Sequence, residues 1–422
     1  MRQAILVPLV LSLAPLCLAG EDEARSGKQR STAALDPAEG KALTAAQLEL
    51  ARDLLGALDP GDRKKNLVLS PASIYQALAM CAAGARGETL AEMQKVLRFP
   101  LAPERVHAAL GALERELASR SQQKAGREGG RPFTLRPANA VFGQVGRKFE
   151  PAYLDLLSEH YGAGLRLCDY VRDPDGARKQ INAWVSQATE QKIPELLQPP
   201  AVTEDTRLVL VNAVYFLADW ETPFEREWTK PGPFTRLDGS KVQAALMHRT
   251  GYMSYVEREG VQAVALPYGG GKVKMWVLLP PAGKLEQATA QLPALLSGLG
   301  AASKSEFVSL ALPRLKFTWR AGLKEPLVKL GLERACDAGQ ADFSGMDGTR
   351  QLFVGSVTHQ AFLAVDEQGT EAAAATAVEM SAGSVPPPPV PFVVDRPFLL
   401  VIQDEPTGAV LFLARVLDPT AE

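Results

Sequence analysis

Four histidines, His107, His160, His248 and His359, are the candidate general bases of this chain, and each stands alone in sequence. Nothing near them completes a nucleophilic apparatus. The 422 residues contain no GxSxG elbow, no HExxH pair and no Walker loop. Gly269-Gly270-Gly271-Lys272 has the glycines of a phosphate cradle, but no Ser or Thr follows the lysine. Strand-like runs flank it, so it reads as a tight turn. The four cysteines, Cys17, Cys81, Cys168 and Cys336, form no CxxC and no metal-ligand spacing. Cys81, Cys168 and Cys336, an odd number with at least one free thiol, read as small buried apolar groups, and neither a metal site nor a cofactor is expected.

One segment offers no catalytic chemistry but an unusual pattern. Val357, His359, Ala361, Leu363 and Val365 alternate with more polar positions, a strand with His359 on its apolar face. Asp366-Glu367-Gln368-Gly369 breaks it like a turn. The run Thr370 to Glu379 is alanine-rich, which by propensity alone favours helix. With period two, however, Thr370, Ala372, Ala374, Thr376 and Val378 share one side, and Glu371 and Glu379 fall on the other. As a strand it would show a sheet only small, nearly uncharged groups. A segment that suits loop or helix as well as strand is what a conformational switch needs. Ser381-Ala382-Gly383-Ser384 is small and flexible, and Pro386 to Pro389 with Pro391 make a stiff polyproline spacer.

The elements that must position this segment are legible around it. Thr44 and Gln47 fit a capping box, predicting a helix that starts near Thr44 with Leu48, Ala51, Leu55 and Leu58 on one face. Asn66 to Leu69 reads as a short buried strand. Ser70-Pro71 reads as an N-cap and first helical residue, ahead of Ile74, Ala77 and Leu78. Thr89 and Glu92 fit a second capping box. A polar loop spans Ser119 to Pro132, then Ala138 to Phe142 is strand-like and Ile181, Trp184, Val185 and Ala188 mark a helix. Thr206 to Phe216 is strongly apolar and β-rich. Strand patterns follow at Val261 to Leu266, Val273 to Leu279 and Val308 to Leu312. A helix pattern occupies Leu323 to Leu332, and a hairpin Phe398 to Ile402 with Ala409 to Val416. Helices lead and strands close the chain, so the class is α+β.

Lys and Arg number 46 against 48 Asp and Glu, a formal charge of −2, which gives no electrostatic case for nucleic acid or an anionic membrane. Hydrophobic residues make up 46%, enough for a large core, and no interior linker divides the chain. Arg2, the apolar run Ala4 to Leu18 and the small residues ending at Gly20 read as a signal peptide over 1–20, too short for a membrane span. Ala14-Pro15-Leu16 departs from a lipoprotein pattern, so no lipid anchor at Cys17 is expected. Residues 21–40 read as a disordered lead-in, and 41–422 as one domain. The expectation is a secreted monomer, extracellular or periplasmic.

In this order and at these intervals, six segments resemble the serpin family, over about Ala42 to Pro419. Asn66 to Ile74 resembles its shutter motif. Val211 to Phe216, with Trp220 and Pro223-Phe224, resembles its central strand and breach. His359 resembles its shutter histidine. Asp366 to Ala372 resembles its hinge, and Asp395 to Phe398 and Phe412 to Pro419 resemble its C-terminal signature. The resemblance implies a serpin fold with three β-sheets, about nine helices and an exposed reactive loop at about 367–391. It implies a suicide substrate for a serine protease, which trapping of the acyl-enzyme by loop insertion would inhibit. By that likeness Ser70, Ser73, Asn212 and His359 form the shutter, and Trp220 packs in the breach. The hinge is Glu367, Gly369, Thr370, Ala372, Ala374 and Thr376.

The family's usual interval from Gly369 puts the scissile bond at Gly383-Ser384; a shifted register puts Met380 or Ala382 before the cut. Small residues there, with no Arg or Lys from Glu371 to Val394, imply elastase-like or subtilisin-like targets rather than trypsin-like ones. Two other classes remain open on sequence: a non-inhibitory serpin acting as carrier or chaperone, which the small hinge residues disfavour, and a secreted hydrolase, which the isolated histidines disfavour.

Overall fold

The computed structural model describes residues 23–58, 61, 64–122, 133–370 and 387–421. The chain begins with a two-residue strand, β1 (Glu23–Ala24), then helix α1 (Pro37–Ala57), strand β2 (Leu67–Leu69) and helix α2 (Pro71–Ala82). Helices α3 (Gly87–Val96) and α4 (Pro103–Ala118) precede strand β3 (Thr134–Gln144). Helix α5 (Pro151–Leu156), strand β4 (Leu165–Cys168), helix α6 (Pro174–Ala188) and strand β5 (Leu208–Asp219) complete the first half. The second half is mostly strand: β6 (Lys230–Thr235), β7 (Lys241–Arg258), β8 (Val261–Pro267), β9 (Val273–Leu279), β10 (Lys304–Pro313), β11 (Leu315–Gly322) and β12 (Val354–Val365). The short pieces β13 (Gly369–Thr370) and β14 (Val390–Val393) lead to the closing hairpin β15 (Phe398–Asp404) and β16 (Val410–Val416).

These strands form a seven-stranded sheet in the order β1-β4-β3-β5-β13-β12-β11, and a nine-stranded one that carries the remainder. The three expected sheets are hydrogen-bonded as two networks, because the 18-residue β7 runs through both halves of the larger one. It pairs with β6 and β10 along its first part and with β8 at its end.

At its centre, along β5, the seven-stranded sheet is covered on both faces. Even-numbered residues of β5, including Leu210, Val214 and Phe216, enter the main core beneath α2. The odd-numbered Val209, Val211 and Ala213 pack in a separate cluster with Ile181 and Val185 of α6. Burial of both faces explains why β5 reads as a continuous apolar run rather than an alternating one.

Local signals held in some places and lost in others. Ser70 caps α2, accepting from the Ser73 amide at 3.4 Å, with Pro71 at the first position. The expected start near Thr44 is corrected: α1 begins at Pro37, capped by Asp36, which accepts from Ala38 and Glu39. Thr44 lies inside the helix, buried. Thr89 and Glu92 do not cap α3. Thr89 Oγ1 accepts from the Asp342 amide and Glu92 from the Arg334 amide, so tertiary partners took both side chains. The helix pattern at 323–332 shortens to Lys324–Lys329.

The lead-in, expected to be disordered, is a strap from residue 23 onward. β1 pairs antiparallel with β4, at the edge of the seven-stranded sheet. Ser31 donates its amide to Glu159 at 2.8 Å, Arg30 pairs with Glu114 of α4, and Lys28 with Glu159. A polar segment with few large apolar residues can be ordered by ion pairs and backbone ladders that composition does not register. Residues 1–22, with Cys17, lie outside the described residues. Cys81 and Cys168 are buried free thiols and Cys336 is partly buried. Burial pushes the Cys336 thiol up to about 11. Among the described residues no helix is long and apolar enough to cross a membrane, and no cluster of His, Cys, Asp and Glu is placed to hold a metal.

Candidate functional site

The centre of the seven-stranded sheet is split at one end. Over its lower part β5 pairs parallel with β12, from Leu208–Val354 to Val214–Ala361. Above that level direct pairing stops and β13 stands between the two strands. Gly369 and Thr370 face Asp219 and Ala218 of β5 in antiparallel register, and Thr370 also faces Val365 of β12. The turn that brings the chain back is held by Asp366, whose carboxylate accepts the Gln368 amide at 2.9 Å. The chain leaving β12 has therefore re-entered the sheet by two residues.

Each residue at this entrance has a visible cause for its identity. A Cβ on Gly369 would lie 2.1 Å from the Ala218 carbonyl oxygen, so only glycine permits the approach. Thr370 is buried and its Oγ1 lies 2.7 Å from the Tyr268 hydroxyl. Trp220, 1% exposed, stacks on Tyr268 with ring centroids 4.5 Å apart, and its Nε1 donates to the Asp366 carbonyl at 2.9 Å. Its amide donates to the Gln368 carbonyl, and that of Phe224 to the Glu367 carbonyl. Glu367 is a buried carboxylate that accepts from Arg314 Nε at 2.7 Å and from Thr229. Burial pushes its pKa upward, but these hydrogen bonds outweigh burial and hold the carboxyl below its usual value.

Lower in the sheet lies a second polar cluster. Asn139 of β3, Asn212 of β5 and His359 of β12 stand in one row across three strands. Asn212 Nδ2 donates to Ser73 Oγ at 2.7 Å and to Asn139 Oδ1 at 2.6 Å. Ser73 Oγ donates to Asn139 Oδ1 at 2.6 Å. With the Asn212 amide donating, its Oδ1 is left to accept, and His359 Nδ1 hydrogen-bonds to it. The proton of the neutral ring therefore sits on Nδ1. His359 is fully buried, and burial lowers its pKa to about 3; its Nε2 has no hydrogen-bond partner among the described residues.

Of the residues expected at the site, Ser73, Asn212 and His359 come together here. Ser70 sits beside them but spends its hydroxyl on the α2 cap. Trp220, Glu367, Gly369 and Thr370 come together at the entrance. Ala372, Ala374, Thr376, Met380, Ala382, Gly383 and Ser384 lie outside the described residues. Two participants were missed. Asn139 carried a signal, a lone amide between Ala138 and Ala140 in an apolar strand. Tyr268, next to a glycine turn, carried none.

The comparisons agree with this geometry. The family model described as Serpin (serine protease inhibitor) matches residues 45–419. A leukocyte elastase inhibitor from Bos taurus is 36% identical over 389 residues, covering 89% of this chain and 99% of its own. Serpin-Z2A from Oryza sativa subsp. japonica is 36% identical over 428 residues, covering 90% and 97%. Among solved structures, the thermophilic serpin tengpin in its native state superposes with a TM-score of 0.82 at 25% identity, covering 93% of this chain and 97% of its own.

Proposed function

The chain belongs to the serpin family, and we propose that it is an inhibitory member that traps a serine protease by inserting its own cleaved loop between β5 and β12. The observation that carries this reading is the entrance: Gly369 and Thr370 are already laddered between those two strands. Continuing the same antiparallel register brings Thr376 opposite both Asn212 and His359. The inward positions are then Thr370, Ala372, Ala374, Thr376 and Val378, all small or medium and uncharged. On the other face Ala373, Ala375 and Ala377 come beside Tyr215, Ala213 and Val211; the last two pack in the α6 cluster. Alanine at these positions asks that cluster for little rearrangement.

Insertion must part the β5–β12 ladder and break the His359–Asn212 hydrogen bond. The polar row gives both strands new partners, because a threonine hydroxyl can donate to one and accept from the other. In the proposed reaction the protease serine oxygen attacks the Gly383 carbonyl, the bond to Ser384 breaks, and the Ser384 amine leaves with the proton. The ester formed stays tethered to the inserting strand. Extending Thr370 to Gly383 at about 3.3 Å per residue carries it roughly 45 Å, far enough to cross a domain of this size.

Incubation with pancreatic elastase and with subtilisin, read by denaturing electrophoresis, tests the proposal. A denaturant-resistant adduct is expected. Cleaved chain with no adduct across a broad serine-protease panel overturns it and leaves the carrier or chaperone reading. An elastase-like target is supported by the leukocyte elastase inhibitor relative and by the small residues Ser381 to Ser384.

We further propose that residues 1–20 direct export, on the apolar run Ala4 to Leu18 and the small residues after it. N-terminal sequencing of protein from culture medium or periplasm should begin near Glu21. A chain retained in the cell and starting at Met1 overturns this.

A further inference from the structure

The strap lies along residues 155–164 and against α4, and polar groups fasten it there. Glu23 and Ala24 extend the sheet at β4, and Glu23 Oε1 accepts the Gly164 amide at 2.9 Å. Arg25 donates to the Gly162 carbonyl at 2.6 Å, and Ser26 to the Asp155 carboxylate. Lys28 pairs with Glu159 and Arg30 with Glu114, while the Ser31 amide donates to the Glu159 carbonyl at 2.8 Å. Arg115 of α4 donates to the Ala33 carbonyl. From Glu23 to Ala33 the only apolar side chains are two alanines, so charge and hydrogen bonds rather than apolar burial hold this segment down.

His160 sits inside this fastening. Its ring is half-buried, and Nδ1 is enclosed without a hydrogen-bond partner among the described residues. α4 closes over it tightly, since a Cβ on Gly111 would lie 2.1 Å from the His160 carbonyl oxygen. The charged and titratable groups of this region are Arg25, Lys28 and Arg30 of the strap, His107, Glu114 and Arg115 of α4, Asp155 of α5, and Glu159 and Tyr161 beside the histidine. Burial disfavours the imidazolium and Glu159 favours it; Lys28 and Arg115 add to burial, so the pKa lies below the ordinary value. A proton arriving on Nδ1 meets no acceptor and two cations. Lys28 also holds the Glu159 carboxyl below its usual value, and Arg30 opposes the rise that burial imposes on Glu114. Through Lys28 and Arg30, all three groups bind a proton less tightly with the strap seated than with it gone.

We propose that the strap is an acid-released clasp: when His160 takes up a proton, residues 23–33 detach and uncover the outer edge of β4. The direction follows from linkage. Release frees three groups to bind protons, so a lower pH favours the released state. His160 leads, because an exposed histidine titrates at about 6.5, whereas the two carboxylates come into play lower. What is uncovered is a strand edge. β4 has β3 on one side and β1 on the other, so without β1 the backbone groups of Leu165 and Arg166 become a template for pairing. The clasp lies apart from the loop and stands whether or not the chain traps a protease.

Hydrogen exchange of residues 23–36, followed by mass spectrometry and corrected for the intrinsic pH dependence of exchange, reads the release. Between pH 7.5 and pH 5.5 the protection of this segment should fall about fivefold in the parent; a released histidine supplies at most about tenfold over that range. In His160→Gln, which has no titrating ring, the fall should be less than twofold. Acid effects on the whole fold through His107 and His359 are shared by both proteins, so the comparison isolates the strap. Unchanged protection in the parent, or a fall in His160→Gln as large as the parental one, overturns the proposal. Should His160→Gln not fold, Lys28→Gln decides, because Lys28 is half-exposed and its loss leaves the core intact. That variant should be less protected than the parent at pH 7.5, and its fall at pH 5.5 should be less than half of the parental one. A fall as large as the parent's in Lys28→Gln overturns the clasp.

Discussion

The seven-stranded sheet is interrupted by polar side chains in two places, and they are built differently. At the entrance, Glu367 is only 3% exposed but its partner Arg314 is 46% exposed, so water already reaches the pair. At the Asn139–Asn212–His359 row every member except Asn139 is buried, none is charged, and the members hydrogen-bond one another, leaving Asn139 Nδ2 and His359 Nε2 without partners among the described residues. Opening the first disturbs an ion pair that water reaches only from the arginine side. Opening the second strands buried hydrogen-bonding groups, at about 1–3 kcal/mol each, until new partners arrive. The sheet is thus prepared to open from one end, with its main resistance halfway down.

The largest expected effect breaks that resistance. A cut anywhere from Val378 to Val385 frees residues 371–377 to follow Thr370 past the row. We expect the melting temperature to rise by roughly 10 °C or more, which for a domain of this size means at least ~5 kcal/mol. Ladder hydrogen bonds at ~0.5–1.5 kcal/mol each are offset by ordering costs of ~1–2 kcal/mol per residue. The gain must then come from packing in the sheet. Melting curves before and after limited proteolysis, with the cut mapped by mass spectrometry, measure it. An unchanged or lower value would mean that the loop does not insert.

Next in size are changes at the entrance itself. Thr370→Arg would bury a cation against Tyr268, at a cost of several kcal/mol. It should raise the stoichiometry of inhibition about tenfold as cleavage outruns insertion. Gly369→Ala puts a methyl group onto the Ala218 carbonyl and should raise it about twofold to fivefold. Parental stoichiometry in both variants would show that β13 plays no part in starting the movement.

These two places also mark what sequence could and could not reveal. Trp220, Gly369 and His359 were legible through the family resemblance, with the turn before Gly369 and the apolar face of His359 also readable from the local pattern. The reason for Gly369 was not legible. It was expected as a hinge residue, and it proves to make a close approach to β5 that only the paired strand creates. Thr44 and Thr89 misled because a capping pattern is also satisfied by buried threonines with partners far along the chain. The strap at 23–36 escaped notice because it is held by ion pairs with Glu114 and Glu159, whose proximity belongs to the fold.

Acid should separate the two places further. His359 is neutral in the fold, with a pKa of about 3 against ~6.5 in the unfolded chain. As pH falls below ~6.5 the unfolded state takes up the proton and the native state does not. Stability drops by up to ~1.4 kcal/mol per pH unit until about pH 3. His107, buried against Tyr161 and lowered to about 4, acts in the same direction. Between pH 7 and pH 5 we expect a loss of ~2 kcal/mol from each, seen in urea melts. His359→Gln should recover the first share, and a pH slope identical to the parent's would remove His359 from the account.

The smallest expected effect lies at the strapped edge and has the opposite sign with pH. Burial raises the carboxyl of Glu114, and the Arg30 guanidinium opposes it. Arg30→Ala removes that opposition and leaves burial alone, so the carboxyl rises further. At pH 7.5 the variant holds a poorly compensated anion, and we expect a deficit of about 1 kcal/mol, modest because Arg30 is partly exposed. A group whose folded pKa is raised destabilises above that pKa and ceases to do so once protonated. The deficit relative to the parent should therefore shrink as pH falls towards 5, while the loss due to His359 grows in both proteins alike. Paired urea melts at pH 7.5 and pH 5 separate the two contributions. A deficit that stays constant would mean that Arg30 contributes through packing of the strap rather than through its charge.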